Sequence, residues 1–141
     1  GMVGGQMLDI EAETRVTSSL SDISLIQSLK TGALFRFACE AGAMLAGQDS
    51  TPLRQYADKI GLAFQIADDI LDVESTPETL GKATQKDKAK GKATFVDLLG
   101  LEEAKRQCRE LVDDAIEALT VFGASADHLK HAAVFVVGRR S

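Results

Sequence analysis

Apolar residues recur at three- and four-residue spacing along most of this chain, the pattern of helices that bury one face. The clearest stripe is Ile23, Ile26, Leu29, Ala33, Leu34, Phe37, Ala41 and Leu45, which predicts a core-facing helix from Ser21 as N-cap to about Ala46. Gly32 and Gly42 interrupt it, each at about 1 kcal/mol relative to alanine, and Gly47 suits its C-terminal cap. Ahead of it, a first helix covers about Gly4 to Thr14, and a polar turn spans Val16 to Ser21. A third helix opens at Thr51-Pro52, with Thr51 as N-cap. It carries Leu53, Ala57, Ile60, Phe64, Ala67, Ile70 and Leu71 to about Val73. That length is roughly 30 Å. A polar stretch from Glu74 to Lys92 follows, then a fourth helix from about Thr94 to Phe122 with a candidate break at Gly100, and a fifth from about Ser125 to Gly138. Strand-length alternation is scarce, so the fold class expected is all-α, with about five helices.

Composition narrows the class without naming a chemistry. The 141 residues are 45% apolar and 26% charged, which fits one globular domain over residues 1–141 with a real core. Sixteen basic against 21 acidic residues give a net charge of −5, which argues against bulk nucleic-acid binding but leaves room for a small basic pocket. Cys39 and Cys108 form no CxxC pair and read as thiols in apolar helix faces, as in a reducing compartment. No apolar run approaches the ~20 residues of a membrane span, and no secretory signal is apparent, so the cytoplasm is the expected location. Gly1 to Gly5 read neither as a targeting peptide nor as a clear helix start.

Three stretches carry candidate chemistry. In Phe64-Gln65-Ile66-Ala67-Asp68-Asp69-Ile70-Leu71-Asp72, helical spacing gathers Gln65, Asp68, Asp69 and Asp72 into one sector, amid almost wholly apolar neighbours. Three carboxylates near a helix C-terminus repel one another and oppose the macrodipole. A hard divalent cation resolves that conflict, since magnesium takes oxygen ligands and commonly pairs one or two carboxylates with substrate phosphates. The bland alternative is a solvated acidic patch. Lys30-Thr31-Gly32 places a lysine within an apolar helix, where it needs a partner: the aspartates, or a phosphate. The segment from Leu80-Gly81-Lys82 through Lys86-Asp87 to Gly91-Lys92-Ala93-Thr94 holds five lysines between positions 82 and 92, able to wrap a polyanion, although a solvated loop explains it equally well. His128 and His131 lie at i,i+3 with Asp127 beside them and read as surface or cap residues. Asp113-Asp114 reads as an exposed helix face.

Taken in order, these stretches resemble the trans-isoprenyl diphosphate synthases, in the bacterial farnesyl diphosphate synthase (geranyltranstransferase) branch. Asp68-Asp69-Ile70-Leu71-Asp72 matches that family's second aspartate-rich motif, with Phe64-Gln65 at the family spacing before it. Lys30-Thr31-Gly32 matches its lysine-threonine element, and Gly5-Gln6 with Asp9 fits the element before that. Gly81-Lys82, Lys86-Asp87 and Lys92-Ala93-Thr94 match its lysine loop, and Phe95 to Leu101 resembles the helix start that follows.

The resemblance implies a helical core of the isoprenoid synthase type and a magnesium-dependent prenyl transfer. There an allylic diphosphate ionises, its carbocation attacks isopentenyl diphosphate, and a proton is lost, giving a short-chain trans-prenyl diphosphate such as farnesyl diphosphate. It implies metal ligation by Asp68, Asp69 and Asp72. Lys30, Lys82 and Lys92 would hold the allylic diphosphate, Thr31 and Gln65 would act on the carbocation, and Phe64 would line the isopentenyl side. Arg139 and Arg140 are candidates to close the pocket. A homodimer is implied for the full-length protein.

Members of that family run to about twice this length, beyond the single-domain prior. Their first aspartate-rich motif and isopentenyl-binding residues have no counterpart here, so the chain corresponds to a C-terminal part and is expected not to turn over substrate alone. The rival readings are a non-catalytic partner subunit or truncated paralogue, and a terpene cyclase. The intact three-aspartate motif argues against the former and the lysine loop against the latter.

Overall fold

The computed structural model describes residues 1–12, 19–74 and 93–138, and every regular element among them is helical. In chain order they are α1 (Met2–Ala12), α2 (Leu20–Gln27), a π-helical turn (Ser28–Gly32), α3 (Ala33–Leu45), α4 (Thr51–Glu74), α5 (Phe95–Leu99), α6 (Leu101–Ala118), a 3-10 turn (Thr120–Ala126) and α7 (Asp127–Gly138). The all-α expectation therefore holds. No described helix is long and apolar enough to cross a membrane.

Local chemistry moves several boundaries. Ser19, not Ser21, caps α2: its hydroxyl accepts from the Asp22 N–H while the Asp22 carboxylate accepts from the Ser19 N–H. That reciprocal box satisfies two otherwise orphaned donors, which no arrangement at Ser21 matches. Thr51 lies inside α4, because the Ser50 carbonyl already accepts from the Arg54 N–H and Asp49 accepts from both the N–H and the hydroxyl of Thr51. Those two bonds, the hydroxyl one first, hold the Asp49 carboxyl below its ordinary range. Gly47 does end α3: at φ 65 it lets its own N–H reach the Met44 carbonyl and the Gln48 N–H reach that of Ala43. The expected fourth helix is three elements. Gly100, at φ 83, separates α5 from α6, and helical hydrogen bonding of the α type stops at Ala118, short of Phe122. Thr94 opens α5 with a second capping box, shared with Asp97.

α4 is the hub, in contact with the π turn, α3, α5, α6 and α7. Its buried residues Tyr56, Ile60, Ala63, Ala67 and Ile70 form a stripe at helical spacing. Against α6 the seam is built of small side chains: Ala63, Ala104 and Ala115 are fully buried in one cluster. They let the two backbones approach until the Cys108 thiol donates to the Ala63 carbonyl at 3.3 Å. Leu119, Ala126, Ala133 and Val136 close the core beside α7.

The single tyrosine, Tyr56, donates to the Leu129 carbonyl at 2.9 Å and so ties α4 to α7. Burial pushes its phenol up to about 12. Folded protein thus favours the protonated phenol. That stability is fully present below pH ~10, the unfolded value, and is lost as pH rises through about 12. With no tryptophan present, absorbance at the phenolate band reports this residue directly. Native protein should gain the band near pH 12 and unfolded protein near pH ~10.

One expectation is overturned. Of the stripe assigned to the core between Ser21 and Ala46, only Ile23 belongs to it, whereas Leu34, Phe37 and Leu45 are 52%, 73% and 91% exposed. The face that α3 presents to α4 instead holds its two charged residues, each in an ion pair. Arg36 pairs with Asp58, and the buried Glu40 accepts from Arg54 at 2.6 Å and from Ser50 at 3.1 Å. Partnered charges share the inner face with Phe35 and Cys39, while Leu34, Phe37 and Leu45 face outward.

Candidate functional site

The Lys30-Thr31-Gly32 element occupies the π-helical turn, where each hydrogen bond spans one more residue than in an α-helix. Such turns recur at functional sites. Here the turn is clamped from two sides by glycines. A Cβ on Gly5 of α1 would lie 2.2 Å from the Lys30 nitrogen, and one on Gly61 of α4 would lie 3.5 Å from the Gly32 Cα. Gly5 is thus a required residue, since any side chain there collides with backbone.

The first clamp positions Lys30. With α1 pressed against the turn, Asp9, one helical turn after Gly5, meets the Lys30 ammonium at 2.7 Å. Asp9 is buried and Lys30 partly exposed, so the lysine is held at its ammonium by a buried carboxylate while part of it still faces solvent. Neither the aspartates of α4 nor a phosphate is the partner seen for Lys30: it donates to Asp9 of α1, which the sequence pattern did not suggest, at hydrogen-bond distance.

The second clamp brings the turn to the aspartate helix. Gly61, Gln65, Asp68 and Asp72 fall at i, i+4, i+7 and i+11 of α4 and share one side of it. Gln65 therefore stands one turn beyond the Gly32 contact and Asp68 about 10 Å beyond it along the axis. Phe64 packs on Phe35 of α3, with ring centroids 5.6 Å apart. Gln65, Asp68 and Asp69 are partly buried and Asp72 is exposed.

Asp69 has a second task that sequence reasoning missed. Its Oδ2 accepts from the Phe95 N–H at 2.7 Å, at the first residue of α5. The start of α5 is thereby fastened to the aspartate helix, and Phe95, 3% exposed, lies in the core. A hydrogen bond spanning 26 residues leaves no trace in local spacing. Gln27, just ahead of the π turn, has a side-chain oxygen that is buried without a hydrogen-bond partner among the described residues, an uncommon state for a polar atom.

Lys82, Lys86, Lys92, Arg139 and Arg140 lie outside the described residues. Among the described residues no three His, Cys, Asp or Glu side chains converge on a ready-made metal cage. The aspartate face offers carboxylate oxygen alone, on one helix side and partly open. This donor chemistry suits a hard cation that completes its shell with phosphate oxygen and water. The pocket between α4, α6 and α7, about 260 Å³, is a different feature on another side of α4, lined by Ala67, Ile70, Leu71, Lys105 and Val136 among others.

The family described as polyprenyl synthetase matches residues 1–132. The geranylgeranyl diphosphate synthase of Cyanophora paradoxa is 42% identical over 144 residues, which span 100% of this chain and 48% of that relative. The farnesyl diphosphate synthase of Escherichia coli (strain K12) is 46% identical over 123 residues, 84% of this chain and 41% of that relative. Among solved structures, the polyprenyl synthase from Caulobacter crescentus CB15, complexed with calcium and isoprenyl diphosphate, is similar with a TM-score of 0.87 at 30% identity, covering 99% of this chain and 56% of that one. The chain spans about half the length of the curated relatives it matches.

Proposed function

Because the chain belongs to the polyprenyl synthetase family, we propose that it forms the diphosphate- and magnesium-binding part of a short-chain trans-prenyl diphosphate synthase. The observation that carries this reading is the Gly32–Gly61 contact, which seats the Lys30-Thr31 turn on the helix of Gln65, Asp68 and Asp72. A cation and carboxylates on adjoining surfaces suit a metal–diphosphate pair. Asp68 and Asp72 would hold the metal, and Lys30 would meet the phosphate oxygens that the metal also takes.

In this reading bound magnesium supplies the positive charge that stabilises a departing diphosphate. The chain's own residues do the rest. Asp9 keeps Lys30 in place as a fixed point charge, so less is spent on ordering it when the phosphate arrives. Thr31 and Gln65 bring neutral oxygens beside the reacting carbon, and Phe64 closes the apolar side with Phe35. Asp69, engaged with the Phe95 N–H, holds the start of α5 and would reach the metal through water. Lys82 and Lys92 belong to the same diphosphate site. The allylic diphosphate as donor, isopentenyl diphosphate as acceptor, the homodimer and a farnesyl product are parts of the same proposal. The relatives are named for both farnesyl and geranylgeranyl products.

Calorimetric titration with inorganic pyrophosphate tests the site. Binding should appear only with magnesium present, and Lys30→Ala should weaken it about tenfold, the order of one charge-assisted hydrogen bond. Heat of binding that is indifferent to magnesium, or absent with it, refutes the assignment and favours a non-catalytic subunit. Product length is read by incubating the full-length protein with geranyl and isopentenyl diphosphates and identifying the prenyl alcohol after dephosphorylation.

A further inference from the structure

We propose that the pocket behind the aspartate helix, between α4, α6 and α7, binds a short aliphatic carboxylate, with its head on Arg109 and its chain on the apolar floor. The proposal stands on this pocket alone and needs neither magnesium nor the diphosphate reading.

Three helices build the floor. Ala67, Ile70, Leu71 and Glu74 fall at i, i+3, i+4 and i+7 of α4 and form one stripe. In sequence they alternate with Asp68, Asp69 and Asp72, but helical geometry puts them on another side of α4. α6 adds Lys105, Cys108 and Arg109, and α7 adds Val136 and Val137. The Cys108 S–H is engaged by the Ala63 carbonyl, so the floor meets a ligand as an apolar surface. Close-packed interiors leave few voids larger than a water molecule. An apolar hollow of about 260 Å³ where three helices meet, with polar groups at a few fixed points, has the make-up of a ligand site.

Charge selects the head group. Lys105 pairs with Glu74 at 2.7 Å, which cancels two of the three charges of the lining. Arg109 remains. Of the three cations of α6, Lys105 takes Glu74 and Glu102, and Arg106 takes Glu103 and Glu110. Arg109 has no ion pair among the described residues, although Asp113 stands one turn further along the same helix. The pocket thus offers one uncompensated positive charge beside hydrocarbon. A single negative charge matches it, and the two oxygens of a carboxylate fit the guanidinium fork.

Volume sets the chain. At ~30 Å³ for a water-sized group, about 260 Å³ admits two oxygens and about seven carbons.

Amide NMR of this chain, without magnesium or pyrophosphate, tests the site by following the Val136 and Val137 signals during titration with straight-chain carboxylates from butanoate to decanoate. Both signals should move and saturate. Affinity should rise about fourfold for each methylene as far as heptanoate, then level off. Heptanol, which keeps the chain and loses the charge, should bind the parent at least tenfold more weakly. Arg109→Gln should weaken heptanoate to the same extent, the order of one charge-assisted hydrogen bond. Val137→Trp, which fills the pocket from a position 38% exposed, should bind none. Arg109 is exposed, so Arg109→Gln should keep the parent's circular dichroism and melting temperature, and it decides the matter even where Val137→Trp fails to fold. Val136 and Val137 signals that do not move overturn the proposal. So does affinity that climbs steadily through decanoate, or heptanol and heptyltrimethylammonium binding as well as heptanoate, since each shows apolar contact without a selected head group. Magnesium-dependent pyrophosphate binding, measured separately, can fail without altering these titrations, so the two readings fail independently.

Discussion

Asp68→Ala should abolish the stabilisation of this chain by magnesium with pyrophosphate. A ligand held at a hundred times its dissociation constant stabilises the native state by about 2.7 kcal/mol, which for a chain of this size raises the melting temperature by roughly 10 °C. Parent protein should show that rise with both components and little with either alone. Asp68→Ala should show none with both, while its melting temperature without ligand stays close to the parent's, because Asp68 is only partly buried. Asp69→Ala provides the contrast. It removes the acceptor of the Phe95 N–H and should cost about 1–2 kcal/mol before any ligand is added. An Asp68→Ala protein that melts with the same rise as the parent sinks the metal assignment.

Gly5→Ala and Gly4→Ala, neighbours in sequence and identical in chemistry, should differ in sign. At Gly5 the new methyl lies 2.2 Å from the Lys30 nitrogen and 2.6 Å from the Leu29 carbonyl carbon. Both are backbone atoms, so no rotamer change relieves the overlap and α1 must lift from the turn. Overpacking of this kind costs about 3 kcal/mol or more, and with α1 goes the Asp9–Lys30 ion pair. At Gly4 the added Cβ meets nothing within 4 Å, and replacing a solvent-facing helical glycine gains about 1 kcal/mol. Amide exchange across α1 is the measurement, since local opening reports there before global unfolding does. Protection should fall in Gly5→Ala and rise in Gly4→Ala, and magnesium-dependent pyrophosphate binding should weaken only in the former. Equal protection in both would refute the clamp.

What could be read in the sequence followed from local chemistry. The aspartates, Gln65 and Phe64 lie on the helix that the spacing predicts, since apolar periodicity over so long a run admits one answer. Lys30 was identified as needing a partner, and the structure supplies Asp9. The π turn around it gave no signal, because its residues fit an α-helix equally well. The reason for Gly5 is a contact with Leu29 and Lys30 that no window of neighbours contains. On α3 the pattern gave the helix but not its orientation. Outside Arg36 and Glu40 that helix is apolar on nearly every side. The direction was decided by Asp58 and Arg54 on α4, which drew those two charges inward.

The π turn also fixes a phase. By spanning one residue more than an α-helical turn, Ser28–Gly32 sets the angle at which everything after it leaves α2. Taking one residue out of that turn would rotate α3 by about 100° about its own axis, the angular step of one helical residue. Arg36 and Glu40 would swing off α4, the uncharged side of α3 would face a different neighbour, and the Gly32–Gly61 contact would lose its register. One inserted residue thus sets both where Lys30 sits and which way α3 looks. In this chain the length of that segment is constrained as tightly as its composition.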